Sequence, residues 1–138
     1  MPASPSSGLT PAVLSLLRFV AALVFLQHGL AKLVGFPPAP PFNHMAHLPP
    51  IFLAAGWIET VGSVLVGLGL FTRPAAFLMS GEMAIGYFKF HAPHAIFPLL
   101  SGGDEAVLFA FLFLYLAVAG GGSIGLGRSL GGSAAKWS

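Results

Sequence analysis

The sequence predicts an all-α membrane protein, a bundle of four transmembrane helices, and three observations lead to this prediction. Only 7% of the 138 residues are charged, whereas a soluble globular domain carries about 25%. Hydrophobic residues make up 56% of the chain, and the mean hydropathy is +0.87. The apolar residues form four segments, each roughly as long as a helix that crosses the hydrocarbon core. Helices are predicted because open strands leave backbone groups unpaired in lipid.

The four predicted spans are separated by turns rich in glycine and proline. They run from about Pro11 to Val34, from about Ile51 to Phe71, from Arg73–Pro74 to about Phe90, and from Asp104 or Glu105 to Ala119. The two acidic residues favour a helix start at the fourth segment because they complement the positive end of the helix dipole. The Gly-Gly-Gly-Ser stretch that begins at Gly120 ends this segment.

The predicted membrane domain covers residues 11–130. Residues 1–10 are polar and rich in proline and serine, so they are predicted to be a disordered lead. Residues 131–138 form a short C-terminal tail. The proline-dense connection 36–50 is expected to be a stiff, non-helical cover at the membrane surface, and the connection 91–103 is expected to lie in the interface.

The distribution of basic residues predicts the orientation in a bacterial inner membrane. Four spans place both termini on one side, together with Arg18, Arg73, Arg128 and Lys136. The opposite side has Lys32 and Lys89. This excess predicts a multi-pass protein with cytoplasmic termini.

Charge and cysteine counts exclude several classes of function. The lipid bilayer is the expected environment, and the scattered basic residues with a net charge of +2 exclude nucleic acid as a partner. The chain has no cysteine, which excludes a disulfide, a thiolate zinc site and an iron–sulfur cluster held by this chain. We therefore expect no covalently attached cofactor.

Ionisable residues inside the apolar segments are the candidates for chemistry, because a charge in the bilayer core needs a partner. The helical rise predicts two couplings by depth: a buried ion pair of Arg18 with Glu82, and a cluster of Glu59 with His28 and Lys32. His28 and Lys32 are four residues apart and share a helix face. This cluster can bind a polar headgroup or relay a proton. Alternatively, it is an ion pair that sets helix register, with Lys32 reaching the interface.

The remaining histidines give a weaker pattern. His44 and His47, with His91 and His94, have the spacing His-x-x-His in two loops. Proline-rich loops rarely hold metal ligands rigidly, so we predict no metal site. A haem ligand pair is not predicted either, because only His28 lies in the middle of a span.

Together these motifs resemble the DoxX family over about residues 11–130. The resemblance rests on the first-span run from Arg18 through His28-Gly29 to Lys32, on Gly56-Trp-Ile-Glu59-Thr-Val-Gly62, on Gly67-Leu-Gly69-Leu-Phe-Thr-Arg73, on the Gly103-Asp104-Glu105 start of the fourth span and on the closing stretch GGGSIGLG. His91 follows the third span, where the family commonly has a histidine.

The resemblance implies a four-helix bacterial inner-membrane protein. Some members of the family are membrane subunits of quinone-linked oxidoreductases, including thiosulfate:quinone oxidoreductase, and others associate with redox-defence enzymes. By this likeness, the chain is expected to be a membrane subunit of such a system, or accessory to one. It is expected to bind a quinone or lipid-like ligand at His28, Lys32 and Glu59, with His91 and Glu105 at the outer mouth.

Catalysis is expected only within a complex, because the chain has no residues that store electrons by themselves. A soluble or membrane redox partner protein is therefore implied. Association into a homo-oligomer is an open alternative. Aromatic side chains such as Phe25, Phe52 and Trp57 are candidates to flank a quinone ring.

Two other classes stay open at this point. One is a non-catalytic assembly, anchoring or stress-response factor whose buried charges only fix the fold. The other is a small transporter or a proton pathway through Glu59 and Glu82, which is less favoured because the sequence has no inverted repeat. A bound redox ligand would distinguish the quinone-binding subunit from the assembly factor, and a flux assay in liposomes would test transport.

Overall fold

The computed structural model describes residues 8–40 and 42–138, and the regular structure in these ranges is helical throughout. The helices are α1 (Leu9–Val34), α2 (Pro50–Leu68), α3 (Thr72–Gly86), α4 (Pro98–Ser101), α5 (Asp104–Ala119), α6 (Leu126–Leu130) and α7 (Gly132–Lys136). No strand occurs in the part of the chain that the structure describes, which confirms the all-α class.

Helix bounds agree with the predicted segments to within a few residues. α5 runs from Asp104 to Ala119, as predicted. α2 ends at Leu68, before the predicted end at Phe71, because Gly69 takes a left-handed conformation with φ 70° and its N–H caps the helix. Most of the predicted disordered lead, residues 1–7, lies outside the described residues, whereas Leu9 and Thr10 already belong to α1.

The third predicted segment ends in a change of helix type. α3 is α-helical to Gly86 and continues as a π-helical turn, Tyr87–His91. The N–H of Ala92 closes this turn on the carbonyl oxygen of Tyr87 at 2.9 Å. The helical path therefore reaches His91, close to the predicted end at Phe90.

Glycines allow α1, α2 and α3 to pack closely as antiparallel neighbours. A Cβ on Gly29 of α1 would lie 2.3 Å from Oγ1 of Thr60, and a Cβ on Gly62 of α2 would lie 2.6 Å from the sulfur of Met79. Real side chains do not approach so closely, so these contacts require glycine. The Gly62–Met79 contact sets the register of α3 against α2.

α5 joins the other helices through aromatic rings and one hydroxyl group. The ring of Phe25 in α1 lies 4.9 Å from the rings of both Phe109 and Phe113. Ser80 of α3 donates a hydrogen bond to the carbonyl oxygen of Ala110 at 2.7 Å. α5 thus contacts both α1 and α3, and the fully buried Phe25 lies in the core between them.

By length and apolar composition, α1 and α2 are the helices of residues 8–40 and 42–138 that qualify as membrane spans. α3 and α5 have 15 and 16 residues as α-helices and are too short for that criterion. A bundle of four spans therefore stays a prediction, which we take up under Proposed function.

Candidate functional site

A buried ion pair joins α1 to α2 near the end of the molecule where α1 finishes and α2 begins. Nζ of Lys32 lies 2.8 Å from Oε1 and 2.7 Å from Oε2 of Glu59. The side chains are 7% and 1% exposed, respectively. Gly56 makes room for this arrangement, since a Cβ there would lie 3.1 Å from Cβ of Lys32. The predicted coupling of Glu59 with Lys32 is therefore present.

Three aromatic rings from different elements meet beside this pair. Nζ of Lys32 lies 4.8 Å from the ring centre of Phe42, which belongs to a 3-10 turn at Phe42–His44 in the proline-rich connection. Phe42 packs against Phe52 of α2 at 5.5 Å, and Phe52 stacks on Phe90 of the π-helical turn at 5.0 Å. We call Phe42, Phe52 and Phe90 the aromatic cover. A ring so near an ammonium group stabilises the positive charge.

Glu82 of α3 lies next to Glu59 of α2. Gly62 packs against Met79, Glu59 precedes Gly62 by one helical turn, and Glu82 follows Met79 by one turn, so the antiparallel register brings the two carboxyl groups close together. One oxygen of Glu82, Oε2, is buried without a hydrogen-bond partner among the described residues. The three side chains, one each from α1, α2 and α3, are called the carboxyl cluster below.

The predicted Arg18–Glu82 ion pair is wrong. Arg18 lies near the other end of α1, where it donates hydrogen bonds to the carbonyl oxygens of Gly121 at 2.7 Å and Gly67 at 3.5 Å. Within residues 8–40 and 42–138, the close pairs of basic and acidic side chains are Lys32–Glu59 and His28–Glu105, of which the second is an ion pair only when the imidazole is protonated. The Arg18–Glu82 pairing was predicted from the depth of the two residues in the membrane. The register of α2 against α3 instead brings Glu82 beside Glu59.

His28 has a different partner from the predicted one. Its Nε2 lies 3.4 Å from Oε1 of Glu105 at the start of α5, and the two side chains are 36% and 60% exposed. Its Nδ1 lies 3.3 Å from the carbonyl oxygen of Val24. The ring packs against Phe25 at 5.7 Å and Phe109 at 6.2 Å. His28 and Glu105 thus form an accessible pair between α1 and α5, separate from the buried Lys32–Glu59 pair.

The structure gives His91 a partner in the connection that precedes α5. Its Nδ1 lies 3.1 Å from the carbonyl oxygen of Ser101, and its ring stacks on Tyr87. The Tyr87 hydroxyl donates to the carbonyl oxygen of Ile96. These contacts tie the π-helical turn to residues 96–101, so His91 orders this connection.

The aromatic residues proposed to flank a ring have three different environments. Phe52 belongs to the aromatic cover. Phe25 is fully buried in the core, and Trp57 is 61% exposed on the outer surface of α2. Sequence reasoning missed Phe42, since a proline-rich segment has no periodicity that would point one ring toward Lys32.

The arrangement combines three chemical features at one end of the helices. It has a desolvated ammonium–carboxylate pair, a second buried carboxyl group with an unused oxygen, and an accessible imidazole–carboxylate pair. Such groups can donate and accept hydrogen bonds and exchange protons. These features define an all-helical protein with ionisable groups concentrated in an apolar interior.

The comparisons assign the chain to a family. The DoxX family model matches residues 13–92, which is more than half of the chain and includes Lys32, Glu59 and Glu82. The chain belongs to the DoxX family. Glu105, the partner of His28, lies beyond the matched residues.

Two relatives match nearly the full chain. One, from Haemophilus influenzae, carries the name "uncharacterized protein"; it is 44% identical over 84% of this chain and 89% of its own length. Another, from Escherichia coli, is named "inner membrane protein YphA" and is 31% identical over 86% of this chain and 90% of its own length. No solved structure matches the chain.

Proposed function

We propose that this chain is a multi-pass protein of a bacterial inner membrane with four spans. The name of the Escherichia coli relative supports this membrane. The outer faces of the long helices support it too, because they expose large apolar side chains throughout. Examples are Leu16, Phe19 and Leu23 on α1, Trp57 and Val61 on α2, Phe77 and Ile85 on α3, and Phe111 and Val118 on α5. Faces of this kind on a small protein fit lipid better than water.

The lengths of α3 and α5 are compatible with this proposal. With its π-helical turn, α3 extends over Thr72–His91, about 30 Å at 1.5 Å per residue and close to the thickness of the hydrocarbon core. α5 alone covers about 24 Å, and short spans are accommodated by local thinning of the bilayer. The excess of Arg and Lys at the Arg18 end favours cytoplasmic termini.

For the biochemical role, we infer that the protein binds the headgroup of a quinone or a similar lipid-soluble ligand. It would serve as a membrane subunit of a quinone-linked oxidoreductase, or as an accessory to one. The observation that carries this inference is the unpartnered Oε2 of Glu82 beside the buried Lys32–Glu59 pair. A buried polar atom without a partner costs about 1–3 kcal/mol, and a bound headgroup would offset that cost.

The residues fit a headgroup that carries carbonyl groups. His28 is accessible between α1 and α5, and its Nε2, which faces Glu105, would donate a hydrogen bond to a carbonyl oxygen of the headgroup in place of Glu105. The carbonyl oxygen of Val24 would keep the ring oriented through Nδ1. Lys32 would provide positive charge nearby, and the aromatic cover would exclude water. Electrons would be carried by the ligand and a partner protein, because this chain has no cysteine.

An assembly or anchoring factor is the second candidate. It is favoured by the way in which Lys32 and Glu59 satisfy each other, and by Arg18 binding only backbone carbonyl oxygens. All of these contacts hold helices together. In this case the charges would need no ligand.

Lipid extraction followed by mass spectrometry distinguishes the two roles. The wild-type protein would be purified in mild detergent beside His28→Ala and the double variant His28→Ala, Glu59→Gln. His94→Ala, a change at an exposed histidine, is the matched control. We expect quinone in the wild type and the control and none in the two variants. A folded wild type that carries no quinone, and whose melting temperature does not rise when ubiquinone or menaquinone is added, would favour the assembly role.

A further inference from the structure

The carboxyl cluster has more acid than base. Lys32 is its ammonium group, and both oxygens of Glu59 already accept hydrogen bonds from that group. Glu82 adds a second carboxyl group, which the Gly62–Met79 register places next to the first. If both carboxyl groups were ionised, the cluster would carry a net charge of −1 in a buried environment. A buried uncompensated charge is costly enough that the group usually neutralises instead.

The closeness of the two carboxyl groups favours a proton between them. An ionised carboxylate has only acceptor atoms, so two neighbouring carboxylates repel each other and form no hydrogen bond. One proton allows a strong O–H···O⁻ hydrogen bond in place of this repulsion. That proton also brings the charge of the cluster to zero.

We propose that Glu59 and Glu82 hold one exchangeable proton between them, with Lys32 as the counter-ion. This makes the carboxyl cluster a proton-binding site. Ionisable residues in membrane helices often belong to proton relays. The proton belongs to the pair of carboxyl groups and not to either residue alone.

The charged groups on each neighbouring helix are compatible with this assignment. α1 contributes Lys32, whose charge Glu59 neutralises. α5 contributes Glu105, which pairs with His28. Arg18 binds the carbonyl oxygens of Gly67 and Gly121, where α2 and α5 end. Among the described residues, therefore, no second cation forms an ion pair with Glu82.

This inference deepens the proposed function, and its meaning for a ligand rests on that function. A quinone headgroup gains and loses protons when its redox state changes. Lys32 links the cluster to His28, because Nζ of Lys32 lies 3.4 Å from the carbonyl oxygen of His28. A shared proton one helical turn from His28 would be available to such a headgroup. The proton itself is expected with or without a ligand.

Infrared spectroscopy tests the proposal directly. The full sequence contains only three glutamates, Glu59, Glu82 and Glu105, and one aspartate. We would label the glutamate carboxyl groups with carbon-13 and measure the detergent-purified protein at neutral pH. We expect the C=O band of a protonated carboxylic acid that shifts with the label and with deuterium oxide. It should be lost in Glu82→Gln and kept in Glu105→Gln.

Glu105→Gln is also the safeguard if Glu82→Gln does not fold. In that variant the only glutamates are Glu59 and Glu82, so a label-sensitive acid band must come from the pair. The absence of such a band from the wild type and from Glu105→Gln would overturn the proposal, and so would its persistence in folded Glu82→Gln. Quinone extraction from the same samples reports on the proposed function separately, because either result can occur without the other.

Discussion

Replacing Lys32 with methionine should be one of the most destabilising changes at the carboxyl cluster. Methionine keeps most of the side-chain volume and removes the charge, so Glu59 loses both of its hydrogen bonds to the ammonium group. Charge-assisted hydrogen bonds contribute about 1.5–3 kcal/mol each. Removal of one partner from a buried ion pair costs about 3–5 kcal/mol, because the other charge is left uncompensated. The two estimates agree, and we expect a loss of about 3–5 kcal/mol in the free energy of unfolding.

The partner substitution should cost less because of Glu82. In Glu59→Gln, Lys32 keeps a neighbouring carboxyl group that can take over as its counter-ion. We expect a loss of about 1–3 kcal/mol. The double variant Lys32→Met, Glu59→Gln leaves no uncompensated ion. Its loss in the free energy of unfolding should therefore be smaller than the sum of the two single losses by about 2 kcal/mol or more.

Reversible unfolding in mixed micelles of a mild detergent and dodecyl sulfate, followed by circular dichroism, measures these differences. Lys89→Met is the matched control, since Lys89 is exposed on the π-helical turn. A loss in Lys32→Met no larger than that of the control would refute the reasoning. Strictly additive losses in the double variant would refute it as well.

Two further predictions concern the contacts that hold the helices together. Gly29→Ala should lower the free energy of unfolding by about 1–3 kcal/mol, because the added methyl group would overlap Thr60. Gly81→Ala meets nothing within 4 Å and should not lower it in the same unfolding assay, since alanine favours a helix more than glycine does. Arg18→Met should release the segment at Gly121, since its carbonyl oxygen loses the guanidinium donor; hydrogen exchange there should accelerate, and unchanged protection would contradict this role.

Much of the helical structure follows from the sequence because lipid-like apolar runs leave few alternatives. The start of α5 at Asp104 was predictable because two acidic residues follow a pair of glycines. The Lys32–Glu59 pair was predictable because Lys32 lies in the last turn of α1 and its side chain is long enough to reach Glu59 in the middle of α2. A long lysine side chain reaches its partner even when the helix is rotated somewhat.

The partners of Glu82 and His28 were not predicted, because depth says nothing about rotation around a helix axis. His28 and Lys32 share a face of α1 only approximately, since four residues advance a helix by one turn and about 40° more; His28 contacts Glu105 of α5, and Lys32 contacts Glu59 of α2. A stronger signal existed for Glu82. Glu59 and Glu82 lie almost equally far from the tight turn at Leu70, and residues equidistant from such a turn face each other in an antiparallel pair.

The two ends of the helices use their buried charges differently. At the Arg18 end, Arg18 binds carbonyl oxygens at the C-terminal ends of α2 and α5, and Arg73 binds those of Ala117 and Val118. Helix C-termini present unpaired carbonyl groups and partial negative charge. These cations therefore bind backbone carbonyl oxygens instead of a carboxylate, although Nε of Arg18 has no hydrogen-bond partner among the described residues.

All of the acidic residues lie toward the other end. There Lys32 balances a single carboxylate, and Glu82 is left with a buried oxygen that the described residues do not satisfy. A purely structural cluster gains nothing from a second buried carboxyl group, because an apolar side chain of similar size would pack there at lower cost. The surplus carboxyl group is thus consistent with the proposed exchange of a proton or contact with a ligand at the Lys32 end.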